Sequence, residues 1–302
     1  MRLTPKTAVF SAVAILAVVL TVKTANAGIV LPGTLFPSAF SYIGSPTGLP
    51  SPQTKWNLGG NSASTFSHVA PAGPMTPGSA SWSIMAAGLS GLAGFDVHGG
   101  AVTSAFSALT TSDETLMLAS SLAVWDSASG FTSLGMVADG GVSFGAPEAA
   151  GGHLGDIRVG AISTFPGGVL AHAYQPGTEA LFGVGGTIAG DIHFNSAFTW
   201  ADDPTDTNAD GDIDLFTVML HEFGHSLGLG HSAVSGSVME AFYAGARRSL
   251  HADDIAGIQA IYGPPPAIAV PEPASLTLLG IGAFGMAGYA WRRRKQPTSM
   301  WP

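Results

Sequence analysis

The alternation of apolar and polar residues predicts a sheet in the central part of the chain. These residues alternate over positions 79–85, which is typical of a strand with one buried face. Residues 157–162 are mostly apolar and predict a buried strand, and residues 170–174 and 186–194 predict two neighbouring strands. We expect residues 79–85 to form the first strand of this sheet.

Three further segments have the apolar spacing of amphipathic helices. The first is predicted near residues 113–127, with Thr111 and Glu114 as a capping box. The second covers residues 215–227 and the third covers residues 253–262. Because only 10% of the residues are charged and 41 are glycines, the composition favours a loop-rich, partly β structure over a helical bundle.

A long apolar run near the N terminus predicts a secretory signal peptide. Two basic residues precede the apolar residues 8–22, and Ala25-Asn26-Ala27 is a small-x-small cleavage pattern. We predict cleavage after Ala27, with an uncleaved N-terminal anchor as the alternative. Residues 28–53 are rich in proline, glycine and serine without periodicity, and predict a flexible leader.

A second long apolar run lies near the C terminus. The eighteen residues 274–291 are long enough, at 1.5 Å per residue, to cross a hydrocarbon core of about 30 Å, so a transmembrane segment is predicted. The basic residues 292–295 that follow predict a cytoplasmic end. With the preceding Pro271-Glu272-Pro273, this order resembles the PEP-CTERM sorting tail of Gram-negative bacteria. The resemblance implies removal of the tail by a membrane processing enzyme; the alternative is a permanent single-span anchor.

Setting both ends aside changes the charge of the chain. Three of the 11 basic residues lie in the signal and four in the tail, together with one of the 20 acidic residues. The remaining part carries four basic and nineteen acidic residues, a net charge of about −15. This charge excludes a nucleic-acid partner, because phosphate binding requires clustered lysine and arginine. The absence of cysteine excludes disulfides and thiolate metal ligands.

The most informative motif is the eleven-residue segment HEFGHSLGLGH at positions 221–231. Residues four apart share a helix face, so His221 and His225 present two imidazoles to one metal ion. Gly228 permits the positive φ that ends the helix, and His231 returns as a third ligand. Three protein ligands leave one zinc position open for water, and Glu222 stands where its carboxylate accepts a proton from that water. The alternative is three hydrogen-bonded histidines on an ordinary buried helix.

This motif resembles that of the metzincins, and further segments resemble the matrixins, the matrix metalloproteinase family. Ser237-Val238-Met239 places a methionine eight residues after the third histidine, as in the Met-turn of the family. Residues 250–263 resemble the last helix of a matrixin catalytic domain. Residues 170–174 and 190–194 resemble the strands beside the structural zinc of the family. The resemblance is dense from about residue 155 to residue 263.

The resemblance implies an α+β fold of the zincin type, with a twisted, mostly parallel sheet and three main helices. It implies that Met239 supports the zinc ligands and that Tyr243 lines the substrate pocket. Ala241 replaces the proline of the family in the wall of that pocket, so the substrate preferences of mammalian members do not transfer. Without cysteine, the propeptide thiol that keeps matrixins latent is also missing.

Two secondary metal sites are candidates. The resemblance implies that His172 and His193 bind a structural zinc, but residues 157–170 hold neither of the other usual ligands, a histidine and an aspartate. Hydrogen-bonded strand histidines are the alternative unless His153 or Asp156 substitutes.

Residues 206–214 resemble an EF-hand-type calcium loop, because oxygen ligands alternate and a glycine stands sixth. The candidate ligands are Asp206, Asn208, Asp210 and Asp212. Thr217 occupies the twelfth place, where a glutamate would close the site. Since Asp214 is also suited to cap the following helix, the alternative is a solvated acidic loop with a helix cap.

These observations predict a secreted or surface-attached zinc-dependent endopeptidase, monomeric and acting on protein or peptide substrates. Zn²⁺ is the predicted cofactor, with Ca²⁺ or a second Zn²⁺ as further candidates. The alternative is a non-catalytic envelope or biofilm matrix protein with a structural metal site. The predicted segments are a signal peptide (1–27), a leader (28–53), a matrixin-like peptidase domain (54–263), a proline-rich linker (264–273), a transmembrane segment (274–291) and a basic end (292–302).

Overall fold

The protein is described here by a computed structural model. The model describes residues 26–27, 54–56, 69–71, 75–91, 101–146, 155–163, 168–177, 187–202, 212–267 and 274–294. The predicted signal peptide before residue 26 and the predicted leader at 28–53 lie outside these residues. The chain forms two compact units, Met1–Pro264 and Pro265–Pro302.

The larger unit contains eleven described strands and three helices, with a fourth helix in the smaller unit. The strands are β1 (Asn26–Ala27), β2 (Thr54–Trp56), β3 (Val69–Pro71), β4 (Gly78–Ile84), β5 (Thr103–Ser104), β6 (Phe131–Met136), β7 (Ile157–Ile162), β8 (Ala171–Tyr174), β9 (Ile192–Asn195), β10 (Trp200–Ala201) and β11 (Ile213–Asp214). The helices are α1 (Glu114–Ala128), α2 (Leu215–Ser226), α3 (Ala252–Tyr262) and α4 (Ala274–Arg294), and Phe106–Ala108 form a 3₁₀ turn.

The main sheet has the strand order β1-β8-β9-β7-β4-β6, and β5 pairs with β7. The pairs β6–β4, β4–β7 and β7–β9 are parallel, whereas β8, β1 and β5 are antiparallel to their neighbours. Two small sheets, β2–β3 and β10–β11, complete the described strands. The predicted α+β fold with a mostly parallel sheet is confirmed.

Helix α1 begins one residue later than predicted and has a different cap. Asp113 is the N-cap, since its carboxylate accepts a hydrogen bond from Leu116 N at 3.0 Å. Thr111, predicted to form the capping box, instead donates its hydroxyl to Asp202 at 3.1 Å. The buried face of α1 follows the predicted spacing, and Trp125 donates its indole N–H to Leu220 O of α2 at 3.0 Å. This bond holds α1 against α2.

Two strand predictions needed correction. The segment over residues 79–85 is not the first strand, because three described strands of two or three residues precede β4. Such short strands carry too few positions to show an alternating pattern. The strand predicted over residues 186–194 is shorter, since residues 187–190 form turns and Gly190 has a positive φ of 76°. Of the predicted segment, only the residues of β9 are extended.

Strand β7 matches its predicted range and is buried at all six positions, including Arg158. The Arg158 guanidinium donates to the Asp139 carboxylate at 2.7 and 3.0 Å and to Val142 O at 2.9 Å. Asp191 Oδ2 lies 4.0 Å from Nη1 of the same guanidinium. A cation in the centre of the sheet is therefore neutralised by acidic residues from two other segments.

The smaller unit contains α4. Among the helices that the structure describes, none is both long and apolar enough to span a membrane. The transmembrane segment predicted for residues 274–291 is therefore not supported. Four residues of α4 are glycines, which have no apolar side chain, and three arginines lie in its last turn. Both features lower the apolar content of the helix.

Candidate metal centre

Helix α2 carries the first two histidines of the motif, and its N-terminal end is firmly capped. Asp214 accepts a hydrogen bond from Thr217 N at 3.0 Å and forms an ion pair with Arg248. Apart from Phe216, every residue of α2 is buried. The helix face that carries His221 and His225 is therefore part of the core, and its side chains have little freedom to move.

The C-terminal end of α2 turns the chain toward His231. Gly228 has a φ of 107°, which is in the left-handed region that glycine adopts without strain. Gly228 N donates to His225 O and Leu229 N donates to Gly224 O, each at 2.9 Å. These two bonds form a Schellman-type ending. The helix thus stops within one turn of the second histidine.

The three histidines His221, His225 and His231 converge in space. One ring nitrogen of each lies within 4.8 Å of the others. Nε2 of His225 lies 2.9 Å from Nε2 of His221. In the part of the chain that the structure describes, no other group of three histidine, cysteine or acidic residues is arranged to hold a metal ion.

Backbone carbonyls determine the tautomers of two of these rings. His221 Nδ1 lies 2.7 Å from Val238 O, and His225 Nδ1 lies 2.8 Å from Leu229 O. Because a carbonyl oxygen only accepts, both Nδ1 atoms carry the proton. Both Nε2 atoms then direct lone pairs at each other over 2.9 Å, an arrangement that repels unless a cation lies between them. The donor set therefore fits a metal ion that prefers imidazole, such as zinc.

Burial keeps these rings in the form that binds metal. Desolvation, with the charge of His231 as a second cause, lowers the pKa of His221 to about 3. Desolvation and the two neighbouring histidines also hold the pKa of His225 well below its ordinary value. Neutral imidazole is the metal-binding state, so the fold itself favours ligation.

A carboxylate from α3 holds the Met-turn, residues 237–239. Asp254 accepts hydrogen bonds from Val238 N at 2.9 Å and from Met239 N at 3.3 Å, and also one from the Ser237 hydroxyl. Val238 O is the acceptor for His221 Nδ1. Asp254 therefore helps to orient the His221 ring through one intervening residue, Val238. Asp254 was not among the predicted site residues, because its only local signal is that of an acidic residue in the first turn of a helix.

Glycine 224, between the two histidines of α2, allows the Met-turn to approach the helix. A Cβ at this position would collide with Met239 Sδ and would lie 2.9 Å from Trp125 Cζ2. A glycine inside a helix costs about 1 kcal/mol relative to alanine, so its presence indicates a close approach. That cost was the signal in the sequence that could have identified Gly224.

The predicted pocket residues lie after the Met-turn. Tyr243 is 9% exposed, and its hydroxyl accepts a hydrogen bond from Asp214 N at 2.9 Å. Ala241 is half-buried. The segment that follows Met239 is therefore joined to the N-terminal end of α2.

The predicted structural zinc ligands face each other in the sheet. His172 of β8 pairs in register with His193 of β9, and Nε2 of His172 lies 2.8 Å from Nδ1 of His193. Asp156 does not join them in a described metal cluster; its carboxylate accepts from Ser81 N at 2.7 Å and from Ser81 Oγ at 2.8 Å. His153 lies outside the described residues. A second zinc stays a prediction.

The calcium candidates are mostly outside the described part of the chain. Asp206, Asn208 and Asp210 lie in residues 203–211, which the structure does not describe, and Asp212 is half-buried. In the alternative prediction Asp214 caps the following helix, and Asp214 is the N-cap of α2. The calcium site stays a prediction.

Comparison with known proteins gives two matched regions. Residues 102–263, more than half of the chain, match the Matrixin family, and residues 269–295 match the PEP-CTERM protein-sorting motif. The chain is 42% identical to neutrophil collagenase of Homo sapiens over 148 residues, covering 43% of this chain and 29% of that protein. It is 46% identical to matrix metalloproteinase-25 of Mus musculus over 102 residues, covering 32% of this chain and 15% of that protein. It is 48% identical to stromelysin-1 of Rattus norvegicus over 104 residues, covering 33% of this chain and 19% of that protein. The chain thus spans less than a third of the length of each of these relatives.

Proposed function

The chain belongs to the matrixin family, and from this we propose that it is a zinc-dependent endopeptidase that hydrolyses peptide bonds of protein substrates. The observation that carries the proposal is the convergence of three imidazoles within 4.8 Å, next to a buried glutamate on the same helix.

His221, His225 and His231 would hold the zinc through their ring nitrogens. When bound, zinc polarises the scissile carbonyl and makes a water molecule a stronger acid at neutral pH. Val238 O and Leu229 O keep the His221 and His225 rings in the tautomer that this binding requires. Met239 supports the ligand rings and takes no part in the chemistry.

Glu222 is the proposed general base. It follows His221 directly on α2 and is fully buried, where a carboxylate interacts strongly with a reacting group. Its carboxylate accepts the proton of the attacking water and later delivers it to the leaving amine. Tyr243 and Ala241 would line the substrate pocket, in the segment joined to α2 through Asp214.

We also propose that the protein is exported and sorted to the surface of a Gram-negative bacterium. The PEP-CTERM match at residues 269–295 and the N-terminal signal pattern support this. A membrane processing enzyme that recognises the tail is the expected partner, and the peptidase acts as a monomer. Mass spectrometry of secreted material tests this proposal, because both processed termini are read directly. Full-length chain retained in the cytoplasm would contradict it.

The catalytic proposal is tested by Glu222→Ala in the purified protein loaded with zinc. General acid–base catalysis contributes about 10²- to 10⁴-fold, so casein cleavage should fall by at least about 100-fold while one zinc stays bound. Glu114→Ala, a change of the same kind in α1, should keep full activity. Equal cleavage by wild type and Glu222→Ala would contradict the proposal.

The same preparation separates the remaining possibilities. A wild-type protein that binds zinc and cleaves nothing would favour a matrix protein with a structural metal site. Two equivalents of zinc, with the second lost in His172→Ala, would establish the structural zinc at His172 and His193. Calcium at one equivalent would support the site at residues 206–214.

A further inference from the structure

A short segment far from the motif reaches the end of the metal-binding helix. Strand β2 lies before the residues that match the matrixin family. Its last residue, Trp56, is fully buried, and its indole N–H donates to Ser226 O at 2.9 Å. Ser226 directly follows the metal-binding residue His225. The contact thus joins residues 170 positions apart in the chain.

Trp56 and Tyr262 donate hydrogen bonds to two backbone carbonyls at the C-terminal end of α2, which have no partner within the helix. The last carbonyls of a helix have no partner within it. Ser226 O accepts from Trp56, and Leu227 O accepts from the Tyr262 hydroxyl at 2.9 Å. Trp56 N lies 3.3 Å from the same hydroxyl oxygen, which accepts from it. Ser226 and Leu227 are the residues at which α2 ends and the chain turns toward His231.

Lys55 fastens this segment to the domain. Its ammonium group donates to Thr76 O at 2.8 Å, to Pro77 O at 2.9 Å and to Trp56 O at 3.3 Å. It also lies 5.1 Å from the centre of the Tyr262 ring. Burial lowers the pKa of Lys55. A buried lysine requires acceptors that replace its hydration, and the three carbonyls provide them. Because these bonds fix Lys55, they also restrict the position of the adjacent Trp56.

Two glycines leave room for the Trp56 side chain and backbone. A Cβ at Gly190 would lie 2.7 Å from Trp56 Cζ2. A Cβ at Gly78 would collide with Trp56 O and would lie 2.6 Å from Tyr262 Cε1. Two separate segments of the chain thus pack closely against Trp56, and each has a glycine at the point of contact.

We propose that Lys55 and Trp56 are positioning residues of the metal centre. They hold residues 226–228 in the conformation that directs His231 toward His221 and His225. The inference rests on the proposed zinc site, since it concerns how tightly that site holds its metal. It implies that maturation leaves residues 54–56 in place, because a cut after Trp56 would remove the support of the helix end.

The test measures zinc release from the folded full chain into excess chelator, for wild type and for Trp56→Phe. Loss of a residue that orients a metal ligand typically costs 10- to 100-fold in affinity, so release should be about tenfold faster or more. Trp200→Phe is the matched control, because Trp200 is 8% exposed and its indole N–H donates to Asn195 O at 3.0 Å, away from the helix end. Visible absorption of the Co²⁺-substituted protein gives a second readout, and only Trp56→Phe should change it. Equal release rates and spectra in the two variants would overturn the inference.

A second pair of variants covers the case in which Trp56→Phe does not fold. Lys55→Met removes the charge and Lys55→Arg keeps it. Faster zinc release in Lys55→Met than in Lys55→Arg supports the inference, and equal release overturns it. A wild-type protein that binds no zinc would instead contradict the proposed function. The two failures are therefore distinguishable.

Discussion

At the residue scale, the metal centre depends on bonds made by atoms that do not touch the metal. Val238 O and Leu229 O place the protons of His221 and His225 on Nδ1. Asp254 in turn holds Val238 through its backbone N–H at 2.9 Å. The orientation of the His221 ring thus depends on a chain of three residues, which are His221 in α2, Val238 in the Met-turn and Asp254 in α3. The motif contains only the first of them.

The buried histidines predict a specific pH dependence for the metal-free protein. The pKa of His221 is about 3 in the folded state and about 6.5 when unfolded. Between these values the unfolded chain binds more protons, so the free energy of unfolding decreases as the pH falls from about 6.5 toward 3. Urea denaturation at several pH values, with zinc removed, measures this slope.

The control for this prediction is the same titration of His221→Gln, which lacks the titrating ring. Its unfolding free energy should depend less steeply on pH over the same range. A slope identical to that of the wild type would show that His221 is not kept neutral by burial.

At the element scale, α2 must carry the ligands and also pack against the Met-turn. Both requirements meet at Gly224, where the Met239 side chain lies directly against the helix. Helix propensity alone would favour alanine at this position. The packing requirement prevails, because a methyl group has no space between Met239 and Trp125.

We predict that Gly224→Ala destabilises the protein by about 1–3 kcal/mol and weakens zinc binding, because it overpacks the core at the metal centre. Gly257→Ala in α3 is the matched control. A Cβ there would lie 3.0 Å from Leu229 Cδ2, the flexible end of a side chain. This change should be neutral or stabilise by up to about 1 kcal/mol. Thermal unfolding and zinc competition measure both effects, and equal behaviour of the two variants would contradict the argument.

At the scale of the whole molecule, the sheet that supports the site contains a buried ion pair. Arg158 of the central strand β7 and Asp139, which follows β6, have side chains that are 0% and 5% exposed. Removing Asp139 takes two hydrogen bonds from the buried guanidinium and leaves Asp191, 4.0 Å away, as its remaining acidic partner. The pair therefore ties the loop after β6 to the centre of the sheet.

We predict that Asp139→Ala lowers the free energy of unfolding by about 3–5 kcal/mol. Glu240→Ala provides the comparison, because Glu240 pairs with Arg247 and their side chains are 25% and 21% exposed. Breaking that pair should cost only about 1 kcal/mol or less. Urea denaturation of both variants measures the difference. Similar losses would show that the Arg158 charge is compensated elsewhere.

Features that depend on local spacing could be predicted from the amino-acid sequence alone. The four-residue interval between His221 and His225, the glycine that ends α2, the three helices and strand β7 follow from periodicities of 3.6 and 2.0 and from glycine at a helix end. These properties belong to short segments, and the family resemblance then implied the α+β fold. Helix boundaries were off by at most one residue, for example at α1, where Asp113 is the N-cap.

The distant groups that support the site could not be predicted and are known from the folded chain. Asp254 reaches the Met-turn, Arg158 reaches Asp139, and Trp56 reaches Ser226 across 170 residues. A buried polar group needs a partner, but the local pattern does not say which segment provides it, because many segments offer the same donors and acceptors. The fold makes that choice when it brings particular strands and helix ends together.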